Sequence, residues 1–275
     1  MRAFLGVHAA VLFVLLLAAA GATPAQAQER AGDAFKAFER NGDYLFKLNG
    51  KTQPKAEIYR SNRAMSYLII ASELASAVLL RVPTRRVVTV PLSKIHRNDD
   101  GSVDVMADAV LQPMGSFQLG GQTVAFSVQE QGAQLLPKPP LLGLQNGDGV
   151  KAHHPEFAAQ ALRYTPDAAT LDALRAMKQT VRVRLFFGSW CPSCKRLVPR
   201  LLQVEDALAG STFSFEYYGV LRSFRSDAEA SQNNLKSIPT AIVYVEEQEA
   251  GRLRLTGRDL NAPEGALHTL LTGRR

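Results

Sequence analysis

The chain of 275 residues contains two cysteines, Cys191 and Cys194, and both lie in the stretch FFGSWCPSCK. A pair at this spacing forms a structural disulfide, contributes half of a metal site, or acts as a redox couple. A disulfide across so short a loop removes little unfolded-chain entropy, less than the ~3 kcal/mol expected for a fifteen-residue loop. Structural zinc takes four ligands, and the sequence has no second CxxC and no HxxxH. We therefore predict redox exchange and no metal site.

The residues on either side of the pair predict where the two sulfurs lie. The apolar run VRVRLFF before the pair indicates a strand, and CPSCKRLVPRLLQVEDALAG indicates a helix. Cys191 then stands at a helix N-terminus, where free backbone N–H groups and the positive end of the helix dipole favour a thiolate. We expect the pKa of Cys191 to fall well below the ordinary ~8.5. Cys194 follows one turn later and is expected within bonding reach but more deeply buried.

The C-terminal 40% of the chain alternates between helical and strand patterns, in the order α-β-α-β-α-β-β-α. Thr165 is a candidate N-cap for the first helix, because Pro166 follows it at the first turn. Further strands are indicated by TFSFEYYGVL and by TAIVYVEE with RLRLTG, which form a hairpin. Further helices are indicated by DAEASQNNL and APEGALHTLLTG. Residues 165–275 are thus predicted to form an α/β domain.

The N-terminal half has a different pattern. Between residues 45 and 140, short runs rich in Val, Ile, Leu and aromatic residues alternate with turn signals such as RNDDGS and LGGQ. This pattern predicts a small all-β domain, a sandwich or a barrel, over residues 28–140. SELASAVLL also fits a short helix. Phe35 and Phe38 suit a short amphipathic helix or a poorly ordered lead-in.

The Pro- and Gly-rich stretch LLPKPPLLGLQNGDG marks the boundary between the two domains. Residues 141–164 are predicted to be a linker with a connecting helix, in which His153 and His154 lie on the surface. The fold class predicted for the whole chain is α+β with two domains.

Residues 1–27 have the composition of an export signal. Arg2 gives a positive start, an apolar run follows, and AQA at residues 25–27 offers the small residues that a signal peptidase reads. We predict cleavage after Ala27 and a periplasmic or secreted protein, in a compartment that permits disulfides. The alternative is an N-terminal membrane anchor, because the apolar run approaches spanning length.

The net charge of +7 is spread along the chain. No run of Lys and Arg is interleaved with aromatic residues, as nucleic-acid grooves require, so no nucleic-acid partner is predicted.

The C-terminal region resembles the thioredoxin-fold family of secreted thiol–disulfide oxidoreductases. The matching features are the strand that runs into GSWCPSCK, Trp190 immediately before the first cysteine, and Pro199 in the following helix. SIPT at residues 237–240 opens an apolar strand, as in the family's cis-proline motif, and GRLRLTG matches the Gly-bearing last strand. The resemblance implies a thioredoxin fold for residues 165–275 and covers nothing in residues 28–150.

The resemblance also implies roles for the matched residues. Cys191 is the attacking thiolate and Cys194 the resolving thiol, so a redox-active disulfide takes the place of a cofactor. The resemblance implies further that the residues around them shield the site and bind the substrate chain: Trp190, Ile238, Pro239 and Thr240. Pro239 is expected to be cis and to pack against the disulfide.

Two features bear on the redox potential of the cysteine pair and on its proton transfer. Pro192 and Ser193 between the cysteines are expected to set the redox potential. Thioredoxins carry a buried Asp on the strand before the active site, where this chain has Leu185. Glu216 on the neighbouring predicted strand is a candidate substitute for proton transfer.

The function predicted is that of an exported oxidoreductase that reduces or isomerises disulfides of other exported proteins. Its partners are protein thiols and disulfides and a membrane electron donor or acceptor. One alternative is a disulfide-forming oxidase. The other is a binding or scaffold protein in which the β domain carries the function, with Phe117, Phe126 and Tyr67 as either exposed docking residues or core residues.

Overall fold

The computed structural model describes residues 29–273. The predicted signal sequence of residues 1–27 lies outside these residues. The described chain is a mixed α+β fold that is mostly sheet, with four sheets. None of its helices is long and apolar enough to cross a membrane.

Thirteen short strands make up the N-terminal part of the described chain. They are β1 Glu39–Arg40, β2 Tyr44–Leu48, β3 Lys51–Thr52, β4 Glu57–Ser61, β5 Ser66–Ile70, β6 Ser76–Arg81, β7 Arg86–Pro91, β8 Ile95–Arg97, β9 Val103–Val105, β10 Gln112–Ser116, β11 Gln118–Gly120, β12 Thr123–Val128 and β13 Gln131–Pro137. A six-stranded sheet has the order β1-β4-β5-β6-β7-β10, a five-stranded sheet has the order β11-β12-β13-β2-β3, and β8 pairs with β9.

The six-stranded sheet is covered on both faces. One face packs on the five-stranded sheet through a core that includes Phe46, Val78 and Leu135. The other face is covered by β8, β9 and the segment containing Phe35 and Phe38. Two buried faces explain why β6 has four consecutive buried residues. The same burial places the SAVLL part of SELASAVLL in a strand rather than a helix, while residues 72–75 form a turn.

The lead-in segment is ordered and buried, unlike either expectation from its sequence. Phe35 and Phe38 both lie in the core, and Phe38 bridges to Val103. The segment contains one 3₁₀ turn at Gly32–Ala34. The two phenylalanines therefore pack onto a sheet face, which supplies the apolar contacts that an isolated amphipathic helix lacks.

The candidate docking residues of the N-terminal part are core residues. Phe117 and Phe126 are buried in the core between the two sheets. Tyr67 is partly buried, packs against the same core, and meets the ring of Tyr44 edge to face with centroids 5.6 Å apart. All three side chains therefore pack in or against the core, as the second of the two alternatives predicts.

The C-terminal part alternates helices with strands. Its elements are β14 Gly143–Gln145, α1 Gly147–His153, α2 Pro155–Ala161, α3 Ala168–Arg175, β15 Val181–Phe187, α4 Pro192–Ala207, β16 Phe213–Gly219, α5 Ala228–Gln232, β17 Thr240–Val245, β18 Gln248–Arg254 and α6 Pro263–Thr272. One sheet holds its strands in the order β14-β16-β15-β17-β18. β15 runs parallel to β16 and antiparallel to β17.

The first predicted helix of this part begins later than the sequence suggested. Asp167, rather than Thr165, is the N-cap of α3, and its carboxylate accepts a hydrogen bond from the backbone N–H of Thr170 at 2.8 Å. A carboxylate at this position satisfies a free N–H and complements the helix dipole.

The segment predicted as a linker contributes to the C-terminal sheet and core. β14 pairs with the end of β16, and Phe157 and Ala161 of α2 are buried in the same core as both cysteines. His154, predicted on the surface, is only 3% exposed. The Pro and Gly content of this stretch predicts a connector, and a three-residue edge strand such as β14 is too short to give a sequence signal of its own.

Candidate active site

The two cysteines lie where β15 ends and α4 begins. Cys191 is the N-cap of α4, and its backbone N–H donates to the Gly188 carbonyl at 2.9 Å, which closes the turn between strand and helix. Both cysteines are free thiols. Cys191 is 8% exposed and Cys194 is 0% exposed. An incoming group can therefore reach Cys191, while Cys194 lies behind it.

The surroundings of the pair separate the acidities of the two thiols. The pKa of Cys191 is lowered to about 6, chiefly because the Cys194 thiol donates a hydrogen bond to its sulfur. The backbone N–H groups of Cys194 and Ser193 and the charge of Lys195 act in the same direction, against the effect of burial. Donation to Cys191, together with burial, raises the pKa of Cys194. Cys191 thus ionises while Cys194 keeps its proton.

The residues between the cysteines form the first turn of α4. Pro192 occupies the first helical position, where its missing N–H costs no hydrogen bond. Ser193 acts through its backbone N–H, which lowers the pKa of Cys191. Further along the helix, Pro199 is buried.

Trp190 is held beside the pair by three contacts. Its Nε1–H donates to the carbonyl of Val220 at 3.1 Å. The guanidinium of Arg222 lies over the ring, 4.7 Å from the centroid. Gly188 lies directly under the indole, so that a Cβ built on it would come 2.6 Å from a ring carbon.

We expect Gly188→Ala to displace the indole and to destabilise the fold by about 1–3 kcal/mol, because the added methyl group overlaps the ring. The measurement is urea unfolding followed by tryptophan fluorescence, which reports on Trp190 alone because the chain has one tryptophan. Gly120→Ala is the control, since a Cβ there meets nothing within 4 Å, and its effect is expected within about 0.5 kcal/mol. Equal stabilities for the two variants would contradict the close contact.

The other three predicted substrate-binding residues, Ile238, Pro239 and Thr240, lie at the start of β17. The Ile238–Pro239 peptide bond is cis. Ile238 packs against the core that contains both cysteines, and the Thr240 hydroxyl donates to the Ser237 carbonyl at 2.8 Å. Thr240 is paired with Phe186 near the end of β15, so this segment lies at the same end of the sheet as the cysteine turn.

The structure does not bring Glu216 to the cysteines. Successive side chains of a strand point to opposite faces, and Phe215 and Tyr217 face the cysteine core. The Glu216 carboxylate lies on the other face, where it accepts hydrogen bonds from Arg184 at 2.6 Å and Arg182 at 3.3 Å. The proton-transfer role predicted for Glu216 therefore lacks the necessary geometry, while Leu185 is fully buried in the cysteine core.

An ion pair next to the site was not foreseen from the sequence. Lys195, which directly follows Cys194, donates to the carboxylate of Asp43 in the N-terminal part. The two residues are 152 positions apart, and neither lies in a motif that identifies the other. Asp43 therefore fixes the position of a charge that lowers the pKa of Cys191.

We expect the alkylation rate of the reduced protein to rise with pH around a midpoint of about 6, the pKa of Cys191. Only the thiolate reacts, so the reaction with iodoacetamide measures this titration directly. Lys195→Gln removes one of the charges that stabilise the thiolate, and the midpoint is expected to rise. Asp43→Asn leaves the lysine charge unpaired, so its midpoint should not rise. An ordinary thiol midpoint in the unaltered protein would refute the assignment.

Known proteins resemble this chain only weakly. No protein-family model matches the chain, and no curated protein matches it. A protein of unknown function from Pseudomonas aeruginosa and an HIV epitope-scaffold each share 15% identity with TM-score 0.35, over 47% of this chain and 86% of theirs. A mutant thioredoxin from Halobacterium salinarum shares 18% identity with TM-score 0.24, over 40% of this chain and 87% of its own. Similarities this weak carry no argument about the protein.

Proposed function

We propose that this protein is an exported thiol–disulfide oxidoreductase with a thioredoxin-like C-terminal domain, which reduces or isomerises disulfides of other exported proteins. The observation that carries the proposal is the pairing of a nearly buried thiol of lowered pKa with a fully buried thiol that donates a hydrogen bond to it. A nucleophile and a resolving group in that order are what disulfide exchange requires.

The reaction proceeds in two exchanges. The Cys191 thiolate attacks one sulfur of a substrate disulfide, forms a mixed disulfide, and releases the other substrate sulfur as a thiolate that takes up a proton. Cys194 then attacks the Cys191 sulfur and forms the Cys191–Cys194 disulfide, which releases the second substrate sulfur as a thiolate. That thiolate takes up a proton, which balances the one that Cys194 loses. Two electrons pass to the substrate, and a dithiol donor at the membrane restores the reduced pair.

The direction of electron flow depends on how strongly the thiolate is stabilised. A pKa of about 6 for Cys191 lies between the ~7 of reducing thioredoxins and the ~3.5 of the strongly oxidising periplasmic oxidase. The oxidase usually carries a helical insertion in its thioredoxin fold. Here β16, a 3₁₀ turn and the five-residue helix α5 fill the span between α4 and β17, which favours the reductase.

The test is the redox equilibrium of the cysteine pair against a glutathione series, with Cys191→Ser as the control that cannot form the disulfide. A redox potential of about −250 mV or lower supports a reductase, and one of about −150 mV or higher favours an oxidase or isomerase. Failure of the pair to cycle would overturn the proposed function.

A further inference from the structure

A cleft opens beside Trp190, between the N-terminal strands and the turn that carries Cys191. Its volume is about 730 Å³, which is within the ~300–1,000 Å³ range of ligand sites. Tyr44 and three prolines of the 137–140 stretch line it from the N-terminal side, and Ser189, Trp190 and Lys195 line it from the C-terminal side. Trp190, which directly precedes Cys191, lines the cleft, while Cys191 itself does not. The cleft is therefore placed to receive the part of a substrate that flanks its disulfide, rather than the disulfide itself.

The lining of the cleft has more positive than negative charge. Asp43 is the carboxylate among its lining residues, and Lys195 already pairs with it. Lys138 and Arg222 form no ion pair with any carboxylate of residues 29–273. The Lys138 ammonium donates to the His153 carbonyl, which leaves two of its three N–H groups for a bound anion. Burial lowers the pKa of Lys138, against the effect of the Glu156 charge.

A buried nitrogen at the cleft lacks a partner. His154 lines the cleft and is 3% exposed. Its Nδ1 lies 2.7 Å from a carboxylate oxygen of Glu156, and that carboxylate packs directly on Gly42, where a Cβ would overlap it. The Nε2 has no hydrogen-bond partner among the described residues. A buried polar atom without a partner is destabilising, and a group bound in the cleft that His154 lines could supply the hydrogen bond.

The contact with Glu156 determines whether the Nε2 of His154 donates or accepts a hydrogen bond. In a neutral ring, an Nδ1–H donated to the carboxylate leaves Nε2 as a hydrogen-bond acceptor. Because Gly42 packs against the carboxylate, the ring is held in one orientation. An acceptor of this kind suits the N–H of a peptide backbone.

We propose that this cleft binds an acidic peptide segment next to the substrate cysteine, with carboxylates at Lys138 and Arg222 and a backbone N–H at His154 Nε2. The inference rests on the proposed function and specifies its substrate class: exported proteins whose reactive disulfide is flanked by Asp or Glu. Tyr44 and the prolines of the 137–140 stretch supply apolar surface for the peptide chain.

The test uses the Cys194→Ser variant, which stops at the mixed disulfide. It is mixed with short peptides whose single cysteine is activated by thiopyridine and whose flanking residues are Glu, Gln or Lys, and release of thiopyridine is followed. We expect the Glu peptide to react about five- to tenfold faster than the Gln peptide at low salt, with the advantage lost at high salt. The Lys peptide should react more slowly than both.

Matched variants test whether the preference for the Glu peptide comes from the cleft. Lys138→Gln with Arg222→Gln should remove the preference for the Glu peptide, while Lys178→Gln with Arg258→Gln, at exposed positions away from the cleft, should keep it. Arg222 is exposed, so Arg222→Gln alone preserves the test if loss of Lys138 perturbs folding. Equal rates for the three peptides, or a preference that survives both cleft substitutions, would overturn the inference and leave the proposed function standing.

The inference can also be tested without exchange chemistry. Calorimetric titration with a cysteine-free Glu peptide measures binding alone. If no activated peptide reacts with Cys191, the proposed function falls, and binding that is lost in the cleft variant still supports the acidic-peptide site. Absence of binding in the unaltered protein counts against it.

Discussion

Replacing Cys191 with serine is expected to abolish disulfide reduction, with a loss of at least about a thousandfold. Serine keeps the size of the side chain but supplies no thiolate. The residual thiol cannot replace it, because Cys194 is fully buried and burial raises its pKa. The variant should therefore retain its fold and lose the reaction.

Cys194→Ser is expected to fail at the next step. Cys191 remains accessible and still attacks, because the serine hydroxyl can donate to its sulfur in place of the Cys194 thiol, whose hydrogen bond contributes most to the low pKa of Cys191. Without a resolving thiol, the mixed disulfide with the substrate has no internal route to release. The variant should thus accumulate as a covalent adduct, whereas Cys191→Ser should form none.

Turnover is measured as reduction of a protein disulfide with dithiothreitol as the electron source. Trapped adducts are measured by mass in a separate single-turnover reaction without dithiothreitol, because an external dithiol would release the mixed disulfide. Ser193→Ala is the control, because Ser193 acts on Cys191 through its backbone N–H, and its turnover should stay within a few-fold of the unaltered protein. Complete release of the reduced substrate by Cys194→Ser in the reaction without dithiothreitol would rule out the two-cysteine mechanism.

The cysteine turn could be predicted because its physics is local. A strand, a turn and a helix N-terminus follow one another within a few residues, and the lowered pKa of Cys191 follows from that order. The Asp43–Lys195 pair and the contact of Gly42 with Glu156 depend on how two distant parts of the chain pack. Residue spacing contains no information about such packing.

Side-chain direction explains the failure at Glu216. The sequence places it correctly on the strand next to β15, but the face that it occupies depends on which neighbours are buried. Phe215 and Tyr217 take the cysteine side, and Arg182 with Arg184 binds the glutamate on the other. The alternation of FSFEYYG was visible in the sequence, and applying it to the cysteine face would have excluded Glu216.

The N-terminal part shows the same division between local and long-range information. Its many short strands follow from β-branched runs and turn signals. Which strands pair, and which faces are covered twice, depends on contacts such as Phe38 with Val103. Apolar residues at helical spacing, like Phe35 and Phe38, fit a buried turn equally well once a sheet face is available.

Phe157→Ala is expected to destabilise the protein by about 3–5 kcal/mol, the usual cost of removing a fully buried phenylalanine. Phe157 lies on α2, inside the stretch predicted as a linker, yet it is 2% exposed and belongs to the cysteine core. Its ring also stacks on His154, with centroids 4.7 Å apart. The substitution therefore opens a cavity next to the residue that lines the cleft.

Leu162→Ala is the matched control, because Leu162 directly follows α2 and is 83% exposed. Its effect on the free energy of unfolding is expected within about 0.5 kcal/mol. Urea unfolding followed by Trp190 fluorescence measures both variants. A small effect of Phe157→Ala would show that α2 is a connector resting on the domain. A large effect means that the segment between the N-terminal and C-terminal parts belongs to the C-terminal core. The cleft then has a rigid wall on the side of His154.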